Sequence, residues 1–509
     1  MASEFAHIRG ATGHCQGTAL PWFTLSPAPF LLGLQETETI VDLAHSPACG
    51  KFPSPLLETG LTDNRHAMSK TKTAAVILCA GLGTRMKSAT PKVLHPLAGR
   101  PMLAHLLASL EPLNLDPVVV VTGEDMEAVA ETAAPHPTAV QSTQLGTGHA
   151  VLSAKDALGS FKGDVLVLFG ADPLIKPEAI EAMLAARQQT PAPAIVVLGF
   201  ESEAPGAYGR LITTGDGSLD AIVEADYATP EQLEITLCNS GVMLIDGDKI
   251  WGLLDRVGND NAKGEYYLTD IIALARGDGL TCAIVKGDEA ECLGIDDRAD
   301  LACAEAAVQN RLRRAAMNGG ATLTDPDTVT FNFDTILGRD VTIGASVVFG
   351  PGVHVGDNVD IRAFCHIEGA EVADGAIIGP FARLRPGSDI AEDVHIGNFV
   401  EIKNATIEKA AKVNHLTYVG DARVGAAANV GAGTITCNYD GFAKHHTDIG
   451  KGAFIGSNVA LVAPVKVGDG ALIGAGSVIT KDVAADTLAV TRAPQKETKK
   501  PKPKKKSNN

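Results

Sequence analysis

The sequence predicts two consecutive architectures, an α/β domain on a mostly parallel sheet and then a parallel β-helix. Three observations carry that expectation. Apolar runs rich in Val, Ile and Leu alternate with longer amphipathic segments from Thr73 to about Ala307. Beyond residue 340 an aliphatic side chain returns at every sixth position. The chain of 509 residues is too long for one ordinary core, and 53 glycines against 5% aromatics imply a region where the backbone turns tightly and repeatedly.

Residues 1–67 carry Pro, Gly and His without periodicity and lack the basic and apolar regions of a signal peptide. They are expected to be a disordered or mis-assigned extension, with Met68 as a natural beginning. The runs "AAVILCA", "PVVVVTG", "DVLVLFG" and "AIVVLGF" are too continuous for burial on one face, which predicts strands covered on both sides. "PMLAHLLASL" and "PEAIEAMLAARQQ" have helical spacing. Strand–helix alternation gives a parallel sheet whose ligands sit at the carboxyl ends of the strands. "DRADLACAEAAVQNRLRRAAMNGG" then reads as one long helix ending at Gly319 and Gly320.

From Val341 the chain divides into VTIGAS, VVFGPG, VHVGDN and VDIRAF, and from Ile449 into IGKGAF, IGSNVA, LVAPVK, VGDGAL, IGAGSV and ITKDVA. An aliphatic residue every sixth place, with small residues between, is the pattern of a parallel β-helix whose coils each hold three short strands. The expected boundaries are 68–300 for the α/β domain, 301–321 for a helical linker, 322–495 for the solenoid and 496–509 for a basic tail. The tail's lysines and prolines cannot bury apolar area and should remain disordered.

A net charge of −17 disfavours non-specific binding to nucleic acid or to an anionic membrane. No apolar run approaches the roughly 20 residues of a membrane span. The nine cysteines form no CxxC pair and sit mostly inside apolar runs, as thiols do in a reducing compartment, so a cytoplasmic location is expected.

The chemistry begins at "AAVILCAGLGTRMKSATPK", Ala74 to Lys92. An apolar run stops at Gly81, a Gly-x-Gly turn follows, and Arg85 and Lys92 flank it with no acid nearby in sequence. Such a turn can aim backbone N–H groups at an anion while the cations neutralise it. It is neither a P-loop nor GxGxxG.

The longer stretch "LCAGLGTRMKSATPKVLHPLAGRPM" resembles the signature of sugar-phosphate nucleotidylyltransferases. With "QLGTGHA", "YGR", "IVEADYAT", "NSGV" and the hexapeptide region, the chain from about Ala74 to Gln495 resembles the family of bifunctional N-acetylglucosamine-1-phosphate uridylyltransferases and glucosamine-1-phosphate N-acetyltransferases. The resemblance implies a Rossmann-like nucleotidylyltransferase domain followed by a left-handed parallel β-helix. It further implies UTP held by Leu78, Ala80, Gly81, Gly83, Lys92, Gln141, Gly146 and Thr147, with the sugar on Gly209, Glu224 and Asn239. Arg85 and Lys92 would stabilise charge as pyrophosphate leaves. A Mg²⁺ ion keeping much of its water is implied at the phosphates.

The sequence departs from the family at the metal. "FGADPLI" puts Ala171 at the usual Asp position and Asp172 one residue late, which on an extended strand means the opposite face. "GIDDR" places Asp296 where the family has Asn, and a carboxylate is the stronger Mg²⁺ ligand. Weakened uridylyl transfer, or a greater need for Mg²⁺, is expected.

Within the solenoid, "IGPFARLRPGSDI", "GNFVEIKNATI", "NHLTYVGDARVG" and "AGTITCNYDGFAKHH" interrupt the repeat and resemble the family's acetyltransferase site. The resemblance places glucosamine 1-phosphate on Arg385, Lys403, Tyr418, Asn429, Asn438 and Tyr439, and acetyl-CoA on Ala432, Ser457, Ala475 and Arg492. His415 is the expected base, since imidazole titrates near neutrality, with Glu401 as an orienting or electrostatic partner. N-acetylglucosamine 1-phosphate then passes to the first domain, and trimeric assembly is implied. Two other readings stay open at this point: an acetyltransferase with an impaired nucleotidylyltransferase domain, and a non-catalytic assembly or regulatory subunit.

Overall fold

Apolar runs without a polar face need cover on both sides, and the computed structural model, which describes residues 72–500, provides it. The expectations for residues 1–67 and for residues 501–509 of the tail lie outside the described residues. Strands Thr73–Leu78, Val118–Gly123, Thr138–Gln141 and Asp164–Phe169 pair in parallel, with Thr73–Leu78 between Asp164–Phe169 and Val118–Gly123. Beyond Asp164–Phe169 come Leu237–Ile245, Ile195–Glu201 and Cys282–Gly287. Leu237–Ile245 runs antiparallel to both of its neighbours, a reversal that the apolar pattern does not signal. A hairpin of Arg210–Thr213 and Leu219–Val223 attaches to it through Cys238 and Arg210.

The two faces of the sheet are packed by separate apolar clusters. One includes Val76, Val119, Val167, Ile195 and Ile271; the other includes Ile77, Leu103, Leu106, Leu166, Ile180 and Met183. Helices Met102–Leu110 and Pro177–Arg187 lie on the second face, each turning its buried residues inward. Buried thiols join these cores, and burial pushes Cys79 up to about 12, with Lys92 opposing.

Helix Arg298–Asn318 leads to the solenoid. Its coils repeat every 17 or 18 residues, as the hydrogen bonds between adjacent coils record. Parallel in-register pairing stacks like on like: Ile343, Ile361, Ile378, Ile396, Val413, Val430, Ile455 and Ile473 form one inward column. The hexapeptide period is the sequence image of that column, because each coil returns an inward-pointing aliphatic residue to the same place. Between Arg423 and Asp448 the spacing widens to 25 residues, and the extra chain is the interrupted segment around Asn438.

The helix also joins the two cores. Ala304 and Val308 pack with Leu97, Ala98, Met102, Leu174 and Ile295. Gln309, 4% exposed, donates to the Phe331 carbonyl at 2.7 Å and accepts from its N–H at 2.8 Å, satisfying both backbone groups of the first coil. The turn after Leu97 contacts that coil directly, Phe333 N–H donating to the Ala98 carbonyl at 2.8 Å. Among the described residues no helix is long and apolar enough to cross a membrane.

Candidate active sites

The first strand ends at Leu78, and the loop beyond it opens at the carboxyl edge of the sheet. Gly83 has φ +60, and a Cβ there would lie 2.6 Å from the Lys92 Cβ, so only glycine lets the loop and Lys92 approach this closely. Short 3₁₀ turns, Thr84–Met86 and Lys92–Leu94, carry the two cations. The acid missing from the local sequence arrives from elsewhere. Asp296 meets Arg85 Nη2 and Lys92 Nζ, each at 2.9 Å. Burial pushes the Asp296 carboxyl up, and the Lys92 and Arg85 charges and hydrogen bonds outweigh it, holding the group below its ordinary value.

The start of the long helix fixes Asp296. Asp297 caps the helix by accepting from the Ala299 and Asp300 N–H groups at 2.8 and 3.1 Å. Asp300 in return accepts from Asp296 and Asp297 N–H at 3.0 and 3.1 Å. Arg298, which the sequence reading did not single out, clasps the cation loop. Its Nε donates to the Met86 carbonyl at 3.2 Å and its Nη1 lies 3.4 Å from His95 Nδ1.

Two adjoining cavities share Thr147, Phe169 and Glu265. The smaller, about 250 Å³, is lined by the predicted Leu78, Ala80, Gly81, Lys92, Gln141, Gly146 and Thr147. Gly146 has φ +104, and a Cβ would strike the Tyr266 carbonyl at 2.6 Å. Gln141, 3% exposed, donates to the Gly146 carbonyl at 3.1 Å and lies 3.0 Å from His149 Nδ1. The larger cavity, about 860 Å³, is lined by Arg85, Asp296, Glu224 and Asn239, together with Tyr227 and Thr269. Thr269 donates to Glu224 at 3.1 Å. Gly83 and Gly209 line neither cavity; Gly209 instead accepts the Asn239 N–H at 2.8 Å.

Asp172 is placed by a turn. The strand stops at Phe169, and the Asp172 N–H donates back to the Phe169 carbonyl at 3.0 Å, so the alternation argument does not apply here. Ala171 lines the smaller cavity while Asp172, 4% exposed, lines neither. Burial pushes the Asp172 carboxyl up to about 8, Lys92 opposing and Asp296 adding to the rise. Buried behind Ala171, the Asp172 carboxyl is not offered to either cavity. Among the described residues no three His, Cys, Asp or Glu side chains converge as a metal cluster. The remaining donor set, one cavity-facing carboxylate at Asp296, fits Mg²⁺, which takes its other oxygens from phosphate and water.

The second constellation lies on the solenoid surface. Asn398 and His415 are register partners on adjacent coils. Arg385 and Glu401 pair at 2.8 Å, so Glu401 is engaged by Arg385 and His415 by Asn398, at 2.6 Å from Nδ1. This differs from the expected Glu401–His415 partnership. Lys403 stands beside Lys444, which holds its pKa below the usual lysine range. Asn438 donates to Asp421, as does Asn404 at 2.7 Å, and lies 3.5 Å from the Tyr418 hydroxyl. Burial pushes the Asp421 carboxyl up, and these amides with Lys444 and Lys403 hold it below its ordinary value. Tyr439 is exposed, its hydroxyl donating to the Gly441 carbonyl at 2.7 Å, and Asn429 sits at a register position between Lys412 and Phe454. Ala432, Ser457 and Ala475 fall on one corner of successive coils, with Asn458 N–H donating to Ala432 at 2.7 Å and Gly476 N–H to Ser457 at 2.8 Å. Arg492 reaches that corner beside Gly476. Asn398, Asn404, Asp421 and Lys444 were not foreseen; for Asn398 the coil period was signal enough, since it precedes His415 by 17 residues.

Known proteins agree with this division into two scaffolds. Residues 75–220 match the MobA-like NTP transferase domain, and 334–369 and 446–481 match the bacterial transferase hexapeptide (six repeats). The bifunctional protein GlmU of Paramagnetospirillum magneticum is 64% identical over 432 residues, 85% of this chain and 96% of that protein. That of Rhodospirillum rubrum is 64% identical over 424 residues, 83% and 95% of the two chains. The chain belongs to the bifunctional GlmU family. The GlmU of Zymomonas mobilis, 51% identical over 426 residues, is covered to 95% of its length, so the likeness to GlmU proteins includes both the sheet domain and the solenoid.

In this member of the GlmU family the buried Asp172 makes stability pH-dependent. Its proton is held more tightly in the native state than in the unfolded chain, so stability falls as pH rises from about 4 to about 8. Asp172→Asn removes that fall. Its melting temperature should exceed that of the unsubstituted protein by a margin that grows from pH 4 to pH 8, and a margin independent of pH would contradict the raised pKa.

Proposed function

We infer that the chain is a bifunctional transferase making UDP-N-acetylglucosamine. Acetyl-CoA acetylates glucosamine 1-phosphate on the solenoid, and UTP then gives UMP to N-acetylglucosamine 1-phosphate at the sheet domain, releasing pyrophosphate. The observation that carries this reading is the 64% identity extending over 96% of a GlmU relative, which takes in both scaffolds. In a bacterium the product feeds peptidoglycan and lipopolysaccharide synthesis in the cytoplasm. Neither an impaired first domain nor a non-catalytic subunit is favoured.

In uridylyl transfer a phosphate oxygen of the sugar attacks the α-phosphorus of UTP and pyrophosphate leaves. The smaller cavity suits the nucleoside base, Gln141 and the Gly146–Thr147 turn supplying polar groups, and Glu224 and Asn239 suit the sugar's hydroxyl and acetamido groups. Arg85 and Lys92 exchange the Asp296 carboxylate for phosphate oxygens and offset the charge that develops on the leaving group. Asp296 would hold Mg²⁺, which when bound supplies charge neutralisation at the phosphates.

In acetyl transfer the sugar amine attacks the thioester carbonyl, the C–S bond breaks, and His415 takes the amine proton. Arg385 and Lys403 bind the sugar phosphate, and the surfaces at Ala432, Ser457 and Ala475 are small enough for the pantetheine arm to lie along the coils, with Arg492 near a CoA phosphate.

The solenoid also presents Phe364, Phe381 and Phe399, each exposed, with rings stacked 4.8 and 5.1 Å apart along the coils. An apolar ladder of this kind suits packing against other subunits, and a homotrimer is the assembly we infer.

Separate substitutions should separate the activities. His415→Ala should lower thiol release from acetyl-CoA by about 10²–10⁴-fold with pyrophosphate release unchanged. Lys92→Ala should lower pyrophosphate release by about 10²–10³-fold with acetylation unchanged. Loss of both activities in either variant would argue against two independent sites. Moving the carboxylate onto the cavity wall, by Ala171→Asp with Asp172→Ala, should reduce the Mg²⁺ needed for half-maximal uridylyl transfer by about tenfold, equivalent to about 1.4 kcal/mol. An unchanged requirement would show that the residue order there does not matter. Light scattering should return three times the chain mass; a monomer would remove the trimer.

A further inference from the structure

One ridge of the solenoid runs through both halves of the acetyltransferase constellation. Leu416 N–H donates to the Asn398 carbonyl at 3.0 Å, Gly433 N–H to the His415 carbonyl at 3.3 Å, and Asn458 N–H to the Ala432 carbonyl at 2.7 Å. Positions 398, 415, 432 and 457 therefore occupy the same corner of successive coils. Ala432 and Ser457 lie on the side given to acetyl-CoA, and Asn398 lies on the opposite side of His415. Parallel register, with Asn398 directly paired to His415, leaves the two side chains facing one another without any loop to position them.

We propose that Asn398 is the positioning residue of the acetyl-transfer base, its carboxamide oxygen holding the proton of His415 on Nδ1 so that the Nε2 lone pair faces the substrate amine. The inference rests on the reading of His415 as that base. Asn398 Oδ1 lies 2.6 Å from His415 Nδ1. A carboxamide oxygen only accepts, so Nδ1 donates, and a neutral imidazole with its proton there has Nε2 free to accept one. The neighbouring carboxylate does not compete for this task, because Glu401 is held by Arg385 at 2.8 Å. The Asn398 backbone is itself tied, its carbonyl accepting from Leu416, which follows His415 in the chain. Acceptor and ring are thus fixed to one another by the same ladder. A neutral amide orients the ring without placing a negative charge against it.

The test uses the full chain in its native assembly and reads more than activity. With ¹⁵N-labelled histidine, the His415 signals, assigned by their loss in His415→Ala, should report Nδ1–H with unprotonated Nε2 above the histidine titration range. A native imidazole carrying its proton on Nε2 overturns the proposal, and this measurement needs no variant of Asn398 to fold. Asn398→Ala should lower kcat for acetyl transfer by about 10–100-fold with KM for both substrates within about twofold, and should move the His415 tautomer toward Nε2–H. Unchanged assembly mass by light scattering, together with an unchanged melting temperature, reports that the variant solenoid is folded. Asn398→Asp, which keeps the acceptor, should recover kcat to within about threefold of the unsubstituted protein. Unchanged kcat in Asn398→Ala, or no recovery in Asn398→Asp, overturns the positioning role. Failure of the underlying reading looks different: acetyl transfer would then survive His415→Ala.

Discussion

The contact between Lys92 and Asp296, 2.9 Å across and 204 residues apart in sequence, holds the nucleotidylyl site together. It brings the loop after the first strand against the N-terminus of the long helix, which is the same helix that seats the solenoid's first coil through Gln309. The carboxylate is stable there because the charges and hydrogen bonds of both cations outweigh the cost of its burial. A phosphate offers a cation the same oxygen chemistry as a carboxylate, so the arrangement is chemically replaceable.

The two scaffolds set their side chains by different means. In the sheet domain, positions depend on loops: a glycine at 83 admits Lys92, a capping box fixes Asp296, and Arg298 ties the two segments. In the solenoid they depend on register. Stacked coils place residues 17 or 18 apart on the same corner, so His415 acquires Asn398 as a neighbour from the period alone. The contrast explains why the insertion that widens one coil spacing to 25 residues is tolerated: it leaves the inward column intact while burying Asn438 against Asp421 and carrying Tyr439 outward.

Asp172 illustrates how local geometry changes an argument drawn from pattern. Strand alternation predicts that a residue displaced by one turns to the other face. The chain has already left the strand at Phe169, and it is a turn that buries the carboxyl behind Ala171. Burial then raises its pKa, an electrostatic consequence that neither residue order nor motif expresses.

The sequence by itself determined the strands, the long helix, the hexapeptide period and the motif residues around the first loop, because each rests on spacing between near neighbours and on glycine's freedom at tight turns. It also carried His415, Arg385 and Lys403 through the interrupted coils. Tertiary structure decided what those residues meet. The reversed strand Leu237–Ile245 and the pairing of Arg85 and Lys92 with Asp296 depend on segments distant in the chain. Electrostatic and hydrogen-bond energies fall with distance in space, and folding alone converts the one kind of separation into the other.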